Sequence, residues 1–188
     1  MRVLILGTAL LFAFAACGND DSQDSGKIDH AGRIRYQEYW NGTLGNLAMV
    51  YVSGQYAAKA LGSGDSVQAS QILEYAQKFA DNAKDAALSP LDRWNTDGSN
   101  VGSELFEASG KLSDVMMKLR GFVYDQRPSE ASDATDDIQE AASDINDATQ
   151  DARESYVKMG GKSSDLESLQ SKEQSALIAL RSVTAHSQ

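Results

Sequence analysis

Eight carboxylates in one stretch of the chain are the first groups that could do chemistry. Glu130, Asp137, Asp144 and Asp151 recur every seven residues, and so do Asp133, Glu140, Asp147 and Glu154. Residues 129–154 hold nine acids and one base, Arg153. On a helix, seven-residue spacing puts each row along one side. Carboxylates strung along one helix cannot surround an ion, because calcium needs about six to eight oxygens around it. Three readings are open for the outer row of Asp133, Glu140, Asp147 and Glu154. It is a docking face for a protein with a basic surface, a weak site for divalent cations, or a solvated face that keeps the chain in solution.

The other candidates for chemistry are incomplete. Asn95, Asp97, Gly98 and Glu104 have the spacing of a calcium-binding loop, but Arg93 occupies the position of the first carboxylate ligand. The segment therefore reads as a plain loop. The 2 His of the chain, His30 and His186, stand in no Glu-x-x-His or His-x-x-x-His pairing. Metal ligation and general-base catalysis thus have no residue set, and neither a catalytic residue nor a cofactor is expected. Acids outnumber bases 27 to 17, for a net charge of −10. With no basic stripe, nucleic acid is not an expected partner.

Five aromatic residues crowd residues 36–56, namely Tyr36, Tyr39, Trp40, Tyr51 and Tyr56. Tyr36, Trp40 and Tyr51 fall on or near one helical stripe. They could line a groove for a small apolar ligand, helped by Gly42, Gly45 and Gly54 beside them, or they could be core.

The one cysteine, Cys17, closes a run of 14 residues, Val3 to Ala16, that is apolar apart from Gly7 and Thr8. That is shorter than the roughly 20 residues that span a bilayer, and it has the size of the apolar part of a secretion signal. Phe14-Ala15-Ala16-Cys17 resembles the lipobox of bacterial lipoproteins at its last three positions, with Phe14 where Leu is usual. The resemblance implies cleavage before Cys17 and a lipid on its thiol. It also implies export from the cytoplasm and residence on the cell membrane or the outer membrane. Residues 1–16 are then a signal peptide. Residues 17–29 are the lipidated cysteine and a flexible acidic tether, since residues 18–29 hold four Asp and almost nothing to bury.

Residues 30–188 must supply the body that positions the acids and the rings, as one helical domain. Apolar residues recur there at steps of three and four, and no stretch alternates at period two. The first helix runs to Leu61 and stops at Gly62-Ser63-Gly64, and Asp65 or Ser66 caps the second. Ser89-Pro90 opens a short turn, and a third helix covers Val101 to Phe122. A fourth follows Ser129 and ends at Gly160-Gly161. Ser164-Asp165-Leu166-Glu167 has the pattern of a capping box for a fifth. Short connections favour antiparallel neighbours, so the fold expected is all-α, an up-and-down bundle of four or five helices.

Folding the fourth helix back on the third about Pro128 sets Lys118 opposite Asp137 and Lys111 opposite Asp144, since both pairs of numbers add to 255. One register serves both pairs, and the outer row is left without an evident partner. The function expected is that of a non-enzymatic, lipid-anchored envelope protein that binds another protein as an adaptor, an inhibitor or an immunity or exclusion factor. The alternative is a sensory or carrier bundle holding an apolar ligand at the aromatic first helix.

Overall fold

The computed structural model describes residues 29–87, 101–125, 127 and 131–185. Among them are five helices and no strand: α1 (His30–Gly62), α2 (Ser66–Ala87), α3 (Val101–Tyr124), α4 (Ala131–Lys158) and α5 (Leu169–Ala185). The signal, Cys17, most of the tether, the Ser89-Pro90 turn, the 95–100 loop and the Ser129 cap lie outside these residues.

The helix ends follow from local chemistry. Asp29 caps α1, its Oδ1 accepting from the Gly32 amide at 2.6 Å. Gly64 takes φ +83° at the other end. There Leu61 O accepts from Gly64 N at 2.9 Å, and Ala60 O accepts from Asp65 N at 2.8 Å. This double closure satisfies carbonyls that the helix itself cannot, and it needs a residue without a Cβ at the left-handed position. Asp65 then caps α2 by accepting from Gln68 N at 2.9 Å. The end of α4 repeats the device with Gly160 at φ +87°. A Cβ on the following Gly161 would overlap the ring of Tyr156, so the chain turns there through glycine.

The fifth helix differs from expectation. Residues Ser163–Asp165 form a short 3-10 turn, and α5 begins at Leu169. Asp165 accepts from Lys162 N at 3.3 Å, closing the turn. The cap of α5 is Ser168, whose hydroxyl accepts from Ser171 N at 3.3 Å while the Ser171 hydroxyl accepts from Ser168 N at 3.0 Å.

Consecutive helices run antiparallel. Arg120 reaches Leu73 O at 3.2 Å, and Lys84 lies 5.9 Å from the centre of the Phe106 ring, which orients α3 against α2. On α1 and α4, the Tyr36 and Tyr156 rings stack at 5.5 Å, and Ile138 lies against Gly54; both pairs of numbers add to 192. Trp40 meets Glu167 near the start of α5, and Tyr56 and Ala60 share a small cleft with Leu180 near its end, so α5 runs parallel to α1.

The chain is an all-α bundle, and α1 is its central helix. Every residue from Leu47 to Gly54 is buried, as a helix surrounded on all sides requires. The other four helices pack around it, and the core takes side chains from all five. The ring is uneven. α2, α3 and α4 pack closely in sequence, whereas α5 rests on α1 and touches α4 and α2 only at its edges.

Candidate functional site: the outer face of α4

The packing of α3 on α4 sets the charges of this face. Lys118 Nζ pairs with Asp137, and Lys111 Nζ lies 2.8 Å from Asp144, so the register of 255 holds. Both lysines are pushed above their ordinary pKa, Lys111 first by its bond to Asp144 and then to Glu140, Lys118 first by its bond to Asp137. Both pairs lie at the open edge of the seam, where solvent screens them, so they choose a register more than they hold the fold.

The outer row is not uniformly unpartnered, which corrects the expectation from sequence. Lys111 also reaches Glu140 at 2.7 Å, and Asp133 acts on Lys118 through its field. The cause is helix geometry. A row repeating every seven residues drifts by ~20° per heptad on a straight helix of 3.6 residues per turn. Asp133 and Glu140 therefore stay near the lysines of α3. Glu154 has turned into the wall of a cleft beside the connector to α5, Asp147 still acts on Glu104 of α3 through its field, and neither forms an ion pair with a basic side chain among the described residues. All four acids of the row are exposed.

The next rung of the register is a like-charge pair. Glu104 stands seven residues before Lys111, and its number and that of Asp151 also add to 255. Glu104 Oε2 is buried and finds no hydrogen-bond partner among the described residues. Burial raises its pKa above the ordinary carboxylate value, and the fields of Asp151, Asp147, Asp144 and Glu107 raise it further. Sequence reading considered Glu104 only as a calcium ligand, although the rule that paired the lysines also points to this rung.

A folded-state pKa that is raised means that protonation favours folding. The stabilisation from protonated Glu104 is full below its unfolded value and is lost as pH rises through its higher folded value. Glu104→Gln should therefore raise stability at pH 7 by about 0.5–1 kcal/mol, the scale of a relieved like-charge contact and a satisfied polar atom. It should also flatten the decline in stability as pH rises above the ordinary glutamate value. Urea denaturation of both proteins at about pH 4 and pH 7 measures this; equal stability at pH 7 would refute it.

Tyr36, Trp40 and Tyr51 do not line a groove. Tyr36 and Trp40 have no exposed surface and Tyr51 has 7%. The central position of α1 turns rings towards neighbours on every side. Tyr36 stacks on Tyr156, and the Trp40 indole N–H donates to Glu167 O at 2.9 Å. Asn41 and Gln37 hold the same connector, Asn41 accepting from Glu167 N at 3.3 Å and Gln37 donating to Asp165 O at 3.0 Å.

An open cleft of about 590 Å³ lies elsewhere, between α4 and the connector that leads into α5. Its walls include Asn146, Gln150, Arg153, Glu154, Val157 and Ser168. Arg153 donates to Leu166 O at 3.0 Å and so ties α4 to the connector. Val157 remains 49% exposed. No pattern in the sequence marks this cleft, because it arises from the thin contact between α4 and α5. Among the described residues no group of three or more His, Cys, Asp or Glu is placed to hold a metal ion. No protein-family model matches the chain, and neither a curated protein nor a solved structure is detectably similar to it.

Proposed function

We propose that this chain is a lipid-anchored protein of the bacterial envelope that binds a partner with a basic surface through the outer face of α4. One observation carries the binding reading. Asp147 and Glu154 are exposed and form no ion pair with a basic side chain among the described residues, while α3 lysines attend the other half of their row. Within the two rows, the acids from Asp133 to Glu154 form six successive like-charge pairs three or four residues apart. At ~0.2–0.5 kcal/mol each, this repulsion disfavours the helix until cations arrive. Lys111 and Lys118 offset part of it, and a basic partner would offset the rest. The lipobox resemblance at Cys17 supports the location, and no described helix is long and apolar enough to cross a membrane.

The test is crosslinking of the anchored protein in its own cells, with Asp147→Lys/Glu154→Lys beside the wild type. Reversing two rim charges removes two attractions and adds two repulsions. The expected loss is about 1.4 kcal/mol or more, tenfold in affinity, with a matching loss of the crosslinked adduct. An adduct of unchanged yield would end this reading.

A further inference from the structure

The seam between α3 and α4 has two rungs that attract and one that repels. Lys118–Asp137 and Lys111–Asp144 draw the helices together, whereas Glu104 faces the field of Asp151 with the same sign. Glu104 Oε2 is buried without a hydrogen-bond partner among the described residues, so its ionised form loses water and gains no bond in return. Every facing element bears this out. From α4 the groups that act on it are Asp151, Asp147 and Asp144, joined by Glu107 of its own helix, and all four are acids. On α2, Lys84 lies over the ring of Phe106. On α1, Val115 of α3 lies by Gly54, and no charged residue occurs in the sequence between Glu38 and Lys59. The dipole of α3 favours a negative charge in its first turn and offsets part of the repulsion. The two helices do not yield equally. α4 is pinned at this level, because Arg153 donates to Leu166 O at 3.0 Å and Tyr156 stacks on Tyr36. α3 begins at Val101, and a helix end opens more readily than its middle. Val101 and Leu105 are buried and oppose release, so the open form is a minor state.

We infer that the rung of Glu104 and Asp151 is a proton-operated latch, with the first two turns of α3 closed on α4 when Glu104 carries a proton and opening locally more often when it is ionised. The proton removes the like charge and turns a group that can only accept hydrogen bonds into one that can donate. Burial and the four acids disfavour ionisation in the closed form only. Closure is therefore fullest below the ordinary glutamate pKa and weakens as pH rises through the higher value of the closed form. The effect is local, because the rungs of Lys111 and Lys118 hold the rest of the seam. The latch needs no partner and does not rest on the acidic-face reading above.

The test is hydrogen exchange of the full chain in detergent micelles at about pH 4.5 and about pH 7.5, corrected for the intrinsic pH dependence of exchange. The wild type is compared with Glu104→Gln and Asp151→Asn, and circular dichroism establishes that each variant is folded. Protection of the wild-type amides 105–108, taken relative to 115–122 on the same helix, should be about two- to fivefold lower at the higher pH. That is the scale of a like-charge contact and a buried polar atom left unsatisfied. Glu104→Gln should keep the low-pH protection at both values, because its side chain does not titrate. Asp151→Asn should make the fall smaller, since burial still acts on Glu104 but the facing charge is gone. The latch is overturned if the wild type shows no fall, if the fall persists in Glu104→Gln, or if Asp151→Asn leaves it unchanged. A fall shared equally by amides 115–122 also overturns it and leaves only a global effect of Glu104 on stability.

Discussion

Trp40→Ala is expected to lower the unfolding free energy by about 3–5 kcal/mol, the usual loss for a large aromatic removed from a core. Trp40 has no exposed surface and sits on the central helix. Removing it empties the space between α1 and the connector and also leaves Glu167 O without its donor. Against a typical total of about 5–15 kcal/mol, that is a large fraction of the stability of the body. Trp40→Phe separates the two contributions. The smaller ring fills most of the space but cannot donate, so its cost should fall to about 1–3 kcal/mol, the price of one unsatisfied buried carbonyl. Urea denaturation of both variants, with an unchanged slope, measures the difference. A loss under about 1 kcal/mol for Trp40→Ala would mean that the ring does not bear on the core as its burial indicates. Hydrogen exchange adds a spatial check. The amides of α5 should lose protection before those of α3, because Trp40, Asn41 and Gln37 hold the connector that leads into α5.

Cys17→Ser is expected to abolish lipid attachment altogether. If the lipobox resemblance holds, wild-type protein made in its own cells incorporates labelled palmitate and partitions into detergent. The serine variant carries no label, because its hydroxyl does not replace the thiol that receives the diacylglyceryl group. Each buried methylene contributes about 0.8 kcal/mol, and two or three chains together hold a protein on a membrane that one chain holds only marginally. An unlabelled wild type, or a Cys17→Ser variant that still takes up label, would refute the anchor.

Local chemistry was legible where one helix turn decides the outcome. The Gly62-Ser63-Gly64 stop, Asp65 and Gly160-Gly161 lie at the helix ends where their residue types place them. Each satisfies backbone groups within four or five residues of itself, so no distant part of the chain can alter it. The fifth helix shows the limit of this. Ser164 to Glu167 fits a capping box on paper, yet the connector is held by Gln37, Trp40 and Asn41 from 126 to 128 residues away. Those bonds shape the segment as a turn, and the start of α5 passes to Ser168.

The register of α3 on α4 was also legible, because two lysines and two aspartates at the same spacing admit one common alignment. The fate of the outer row was not. A seven-residue row looks like a single face in sequence, but 3.6 residues per turn carries its two ends to different neighbours.

The acids at heptad spacing determined by themselves that α4 would be a helix with charge along one side, and the lysines of α3 determined how it would lie. Which helix stands in the middle was decided only by tertiary packing. The stripe of α1 reads like that of its neighbours, and its burial on all sides follows from four other helices each needing an apolar surface to cover. That choice turned Tyr36, Trp40 and Tyr51 from a candidate groove into core. It also left α4 and α5 scarcely touching, and beside Glu154 a cleft opens that no residue pattern announces.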